Sequence, residues 1–151
     1  MLPDIVDSLS EEQKRLYISL LAAICSADGE LVREEMAALE QAMGSALLHP
    51  ESREQMRQLL ANDARIDDLL LLLDQTTARL VLRDGFLIAA CDGDYDEREL
   101  EILTRVHKIS GLDENVVAEI IAWVAEKWEL DARGRGLIST NTLGDETLLN
   151  K

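Results

Sequence analysis

The chain has 151 residues, of which 47% are hydrophobic, enough for one domain with an ordinary core and too apolar for intrinsic disorder. Thirty acidic residues against fifteen basic ones give a net charge of −15, which repels phosphate backbones and anionic membranes and so argues against nucleic-acid binding. Aromatic residues are only 3% while Ala and Leu dominate, which favours helix over sheet.

In chain order, Ser10 with Gln13 three residues later spells a capping box, followed by Leu16, Leu20, Leu21 and Ile24 at helical spacing. Gly29 marks the end of this first helix as its left-handed residue. A second helix is predicted from about Arg33, with Met36, Leu39, Met43 and Leu47 on one face, and His49-Pro50 stops it. Ser52 with Gln55 predicts the cap of a third helix reaching about Ala61. The five leucines Leu69 to Leu73 read as a short helix buried between two halves of the molecule. A fifth helix spans about Gln75 to Cys91, ended by Gly93. Asp96 with Glu99 then caps a sixth, with Leu100, Leu103 and Val106 inward and Gly111 at its close. Asp113 caps a seventh, whose stripe is Val117, Ile120, Ile121, Val124 and Trp128.

After Leu130 the apolar pattern disappears, and residues 131–151 read as a polar tail, loosely ordered or docked through Leu137-Ile138 or Leu148-Leu149. The class is therefore all-α, a single domain of about seven helices over residues 1–130 with two pseudo-symmetric helical hairpins at its centre. The longest apolar runs are six residues, against the ~20 that a membrane span needs, so no direct membrane insertion is expected. The opening Met1-Leu2-Pro3-Asp4 lacks the basic and apolar regions of a signal peptide, and a cytoplasmic location is expected. In that reducing compartment Cys25 and Cys91 read as small buried hydrophobes.

One acidic phrase occurs twice. Asp28-Gly29-Glu30-Leu31 followed by Glu35-Met36 returns as Asp92-Gly93-Asp94-Tyr95 followed by Glu99-Leu100, each acid recurring 64 residues later. Asp28 and Asp92 close one helix, and Glu35 and Glu99 begin the next, so each pair can face across a tight corner. If the halves pack face to face, four carboxylates converge, and hard oxygen donors suit calcium, magnesium or manganese better than zinc. An Asp at a helix C-terminus also meets the negative end of the macrodipole, at a cost of ~0.3–1 kcal/mol that a cation, an arginine or an amide would offset. The plainer reading is a duplicated hairpin whose Asp-Gly pairs are turns and whose glutamates are caps. An EF-hand is excluded, because the loop beginning at Asp92 carries Glu97 and Leu103 where glycine and glutamate are required. His49 and His107 stand alone and read as surface or helix-end residues, and Trp123 and Trp128 as packing residues of the last helix.

Ala27-Asp28-Gly29-x-Leu31-x-x-x-Glu35-Met36 and Cys91-Asp92-Gly93-x-Tyr95-x-x-x-Glu99-Leu100 resemble the doubled signature of the TerB family, associated with tellurite resistance and related stress systems. The likeness covers about residues 10–130, with Cys91 in place of the usual alanine and Tyr95 in place of an aliphatic residue. It implies two pseudo-symmetric helical hairpins and a divalent cation held by Asp28, Glu35, Asp92 and Glu99. On this expectation the protein is a non-enzymatic scaffold whose partners are other proteins of a stress-response system, and a homo-oligomer is compatible with the sequence. The competing expectations are a structural interaction domain without metal and a metal-dependent hydrolase.

Overall fold

The computed structural model describes residues 4–27, 29, 33–60, 66–91 and 95–149, the side chains of 57–60 and 140–149 excepted. Among the described residues there are seven α-helices and no strand: α1 (Glu11–Cys25), α2 (Arg33–Ser45), α3 (Pro50–Leu60), α4 (Ile66–Leu71), α5 (Gln75–Ala89), α6 (Glu97–Ser110) and α7 (Glu114–Leu149), preceded by a 3₁₀ turn at Ile5–Ser8. The all-α class expected from composition is what forms. No helix among the described residues is long and apolar enough to cross a membrane.

Two helices carry the core. In α1, Tyr17, Ile18, Leu20, Leu21 and Ile24 are buried, and in α5 Val81, Leu82, Phe86 and Ile88 meet them. α5 packs most extensively on α6 and next on α1, and it also touches α2 and α7, while α1 additionally receives α2, α3, α4 and α6. The closest passage is at Gly85, where a Cβ would stand 2.7 Å from Leu103 Cδ2 of α6 and 2.9 Å from Ile24 Cδ1 of α1. Any side chain there would hold the three helices apart.

Local signals set most helix starts. Ser10 Oγ accepts from the Gln13 amide at 3.1 Å and Gln13 Oε1 accepts from the Ser10 amide at 2.9 Å, the reciprocal capping box predicted for α1. Asp96 and Glu99 form the second box at the head of α6. Gly111 closes α6 at φ 67°, a left-handed conformation in which a Cβ would be strained. Gly29 also has positive φ, at 89°, but α1 ends earlier, at Cys25 with Ser26 as its cap.

Five expectations need correction. α3 begins at Pro50, whose ring is preorganised for the first helical position, and His49 Nδ1 takes the capping role by accepting from the Glu51 amide at 3.3 Å. Ser52 is therefore inside the first turn, buried, with its hydroxyl on the Glu11 carboxylate. Leu47 lies outside α2 at φ 50° and is exposed, and Leu48 fills the core position instead. The leucine run is only half buried: Leu70 and Leu73 point inward, and Leu71 and Leu72 are 85% and 72% exposed, as a one-and-a-half-turn helix on the surface must have them. In α7, Ile121 is exposed and Val124 is the fully buried contact. Residues 131–149 continue α7 as helix, with Leu137 and Ile138 60% and 73% exposed; the side chains of Leu148 and Leu149 lie outside the described ones. Ala61 and Gly93, predicted as helix ends, lie outside the described residues.

Candidate functional site

The second acid of each repeat goes inside. Glu35, in the first turn of α2, is 3% exposed, and Glu99, in the first turn of α6, is 4% exposed. Residues this acidic are seldom fully buried, because taking a carboxylate out of water costs several kcal/mol unless it is compensated. Glu99 Oε2 accepts from the Asp96 amide at 3.4 Å as half of the capping box.

Cys25, the last residue of α1, is buried, and its thiol is pushed well above the ordinary range, first by burial and then by the charges of Glu35, Cys91 and Glu99. Carboxylates separated by 64 residues thus act on a single sulfur, with Cys91 from the end of the second half beside it. α1 contacts both α2 and α6, the helices that carry Glu35 and Glu99 in their first turns. Asp28 and Asp92, the first acids of the repeat, lie outside the described residues. Among the described residues, no group of three or more His, Cys, Asp or Glu side chains is arranged to hold a metal ion. Of the four predicted ligands, Glu35 and Glu99 lie among the described residues and both are buried; carboxylate oxygens are hard donors of the kind that suits calcium, magnesium or manganese.

Tyr95, in the second copy of the phrase, packs edge-on against Phe86 with ring centroids 5.8 Å apart, which ties this corner to α5. Burial raises its hydroxyl pKa. Tyr95 therefore acts in packing.

A second feature lies on the face formed by α2, α5 and α7. A groove of about 570 Å³ has Tyr17, Arg83 and Asp84 on its floor and Trp123 on its α7 wall. Asp84 is buried and receives the Tyr17 hydroxyl, while Arg83 donates to it twice, Nε to Oδ1 at 2.7 Å and Nη2 to Oδ2 at 3.0 Å. The same Nη2 reaches Asp4 at 3.0 Å, and the guanidinium lies 5.9 Å from the Trp123 ring centre. Burial opposes the charge on Arg83, and the Asp84 carboxylate outweighs it, so the pKa rises further. Burial and the Asp84 charge likewise raise the Tyr17 pKa. Tyr17 is thus a neutral donor held on a carboxylate, a clamp joining α1 to α5 rather than a nucleophile. The signal for it in the sequence is Arg83-Asp84 set inside an otherwise apolar helix, but its partners are 67 and 79 residues away.

The histidines occupy helix ends as expected. His49 caps α3, and in the last turn of α6 the His107 Nε2 donates to the Leu112 carbonyl at 2.7 Å. Compared with protein-family profiles, with curated proteins and with solved structures, the chain returns no match.

Proposed function

We propose that this protein is a non-enzymatic, TerB-like stress-response module that holds a divalent cation at the corner where its two acidic repeats meet and serves as a scaffold for other proteins. The observation that carries the reading is the burial of both Glu35 and Glu99, matched acids drawn from opposite halves of the chain. A cation between them converts repulsion into attraction, and Asp28 and Asp92, one residue type at matched positions, are the natural completion of an oxygen ligand set. A cytoplasmic setting and protein partners with basic surfaces agree with the charge of −15.

The test is calorimetric titration of the full chain with calcium, magnesium, manganese and zinc, beside thermal melts in the same ions. Binding of calcium, magnesium or manganese is expected, with the melting temperature raised, since a ligand specific to the native state stabilises it by ~2.7 kcal/mol at a hundredfold excess over Kd. In Glu35→Gln/Glu99→Gln both effects should vanish, while Gln at position 99 preserves the capping box and hence the fold. Asp28→Asn/Asp92→Asn should abolish binding as well; unchanged affinity in that variant would assign the ligands elsewhere.

The capping bond from the Asp96 amide to Glu99 favours a second reading, in which the acids serve only as corners and caps of an interaction domain. That reading requires the melting temperature to be indifferent to every ion tested.

A further inference from the structure

α7 is a single helix of 36 residues, about 54 Å long at 1.5 Å per residue, and only its first half lies on the body of the molecule. Val124 is buried and Trp128 Nε1 donates to the Leu87 carbonyl at 3.0 Å, which seats that half on α5. Flanking this docked face, Val116, Trp123, Leu130 and Leu137 are 37, 40, 65 and 60% exposed, with Trp123 over the molecule's own Arg83. They recur every seven residues. Ile120, half-buried against the molecule's own core, Lys127 and Gly134 fall between them, so the face runs in alternating steps of four and three residues over three heptads. A straight helix drifts by ~20° per heptad against such a pattern, which is the drift that a second helix wrapped along it removes.

We propose that this face pairs with the same face of a second copy of the chain, the two α7 helices running antiparallel. The charges beside the seam choose the occupant and its direction. Glu119, Glu126 and Arg133 form the column next to the apolar stripe. Antiparallel self-pairing sets that column against itself in reverse, so Glu119 lies along the partner's Arg133 at both ends of the seam and Glu126 meets the partner's Glu126 once, at the two-fold axis. Parallel pairing instead sets Glu126 against the partner's Asp131, twice, a like-charge contact. The arrangement is isologous, as a two-fold dimer requires. The groove beside Trp123 gives the second helix room: its far wall on α2 carries Ala38, Ala42 and Ser45, small residues one helical turn apart that permit close approach.

Each copy carries −15, which opposes association at a distance. At physiological salt that repulsion is screened beyond ~8 Å, so the pattern along α7 decides the contact. Lys127 in the seam fixes register at some cost in stability, the usual effect of a lone polar residue in such a position.

Sedimentation equilibrium of the full chain decides the question. The wild-type protein is expected to approach twice the 16.8 kDa of one chain as concentration rises. Leu130→Glu/Leu137→Glu should remain monomeric, with unchanged melting temperature at low concentration, since both side chains are exposed in the single copy. Glu119→Arg and Arg133→Glu should each weaken the dimer about tenfold or more, and the double variant Glu119→Arg/Arg133→Glu should recover it, because the swapped pair meets itself across the two-fold. A wild-type chain that stays monomeric overturns the proposal and leaves the stripe to a helix of another protein. A dimer that survives Leu130→Glu/Leu137→Glu overturns it too, and failure of the swap to rescue overturns the antiparallel direction.

Discussion

At the head of α5 the Asp74 carboxylate accepts from both the amide and the hydroxyl of Thr77, at 3.0 and 2.6 Å, and also from the Gln13 side chain of α1. Burial would raise its pKa, but these donors prevail and hold it below the ordinary 3.8. A carboxyl whose folded pKa is depressed stabilises the fold above its unfolded pKa and loses that contribution as pH falls through the folded value. Asp74→Ala should therefore cost about 1 kcal/mol at neutral pH, the usual loss of a helix cap. The gap from wild type should close progressively below pH 3.8, where the native carboxyl takes up its proton. Urea denaturation of both proteins at neutral and acid pH measures it, and a gap that persists undiminished in acid would assign the loss to packing rather than charge. Caps of this kind are legible where donor and acceptor lie within one turn, which is why Ser10 with Gln13 and Asp96 with Glu99 could be read directly. Ser52 with Gln55 is spelled the same way and misleads, because Pro50 has already started the helix two residues earlier. The Tyr17, Arg83 and Asp84 clamp was not legible, since nothing local tells a mid-helix Asp which distant hydroxyl will reach it.

At the scale of the element, α5 shows how two opposed preferences meet at one residue. Gly85 weakens the helix by about 1 kcal/mol relative to alanine, yet it lets α1 and α6 close to within side-chain contact on either side. In Gly85→Ala the propensity gain meets an overpacking cost of about 1–3 kcal/mol, since Ile24 and Leu103 are both buried and have little room to yield. The expected outcome is a net loss of about 1 kcal/mol by chemical denaturation, with helix content unchanged. A stabilised variant would mean that both side chains can rotate away. The leucine run of α4 gives the complementary lesson. Five consecutive leucines suggest full burial, but a helix of six residues presents one narrow face, which Leu70 occupies, and Leu73 turns inward just beyond the helix end. Hydrophobicity told that the segment would dock; helix geometry decided which residues did.

For the molecule as a whole, α7 divides into a docked half and a projecting half, and the boundary falls near Asp131. Residues 132–139 are all exposed, and the segment contains Gly134 and Gly136, each worth about 1 kcal/mol against helix. An isolated stretch of this length and composition is a marginal helix in water, so its helical form is most stable where something lies along it. The polar composition and paired glycines made a tail the natural reading of the sequence, and they hid a heptad register that runs straight through them from Val116 to Leu137. Compositional cues report how much a segment can bury by itself, whereas the register reports how it would be buried by a partner. Truncation after Asp131 separates the two. Because residues 132–139 are exposed in the single copy, the truncated chain at low concentration should melt within ~2 °C of the full chain, as surface changes of under ~0.5 kcal/mol do at this size. At high concentration the two should diverge. The full chain gains melting temperature and helical ellipticity per molecule as copies associate, and the truncated chain, lacking Arg133 and Leu137, gains neither. A melting temperature that drops by many degrees at low concentration would instead place residues 132–149 among the supports of the monomer's own fold.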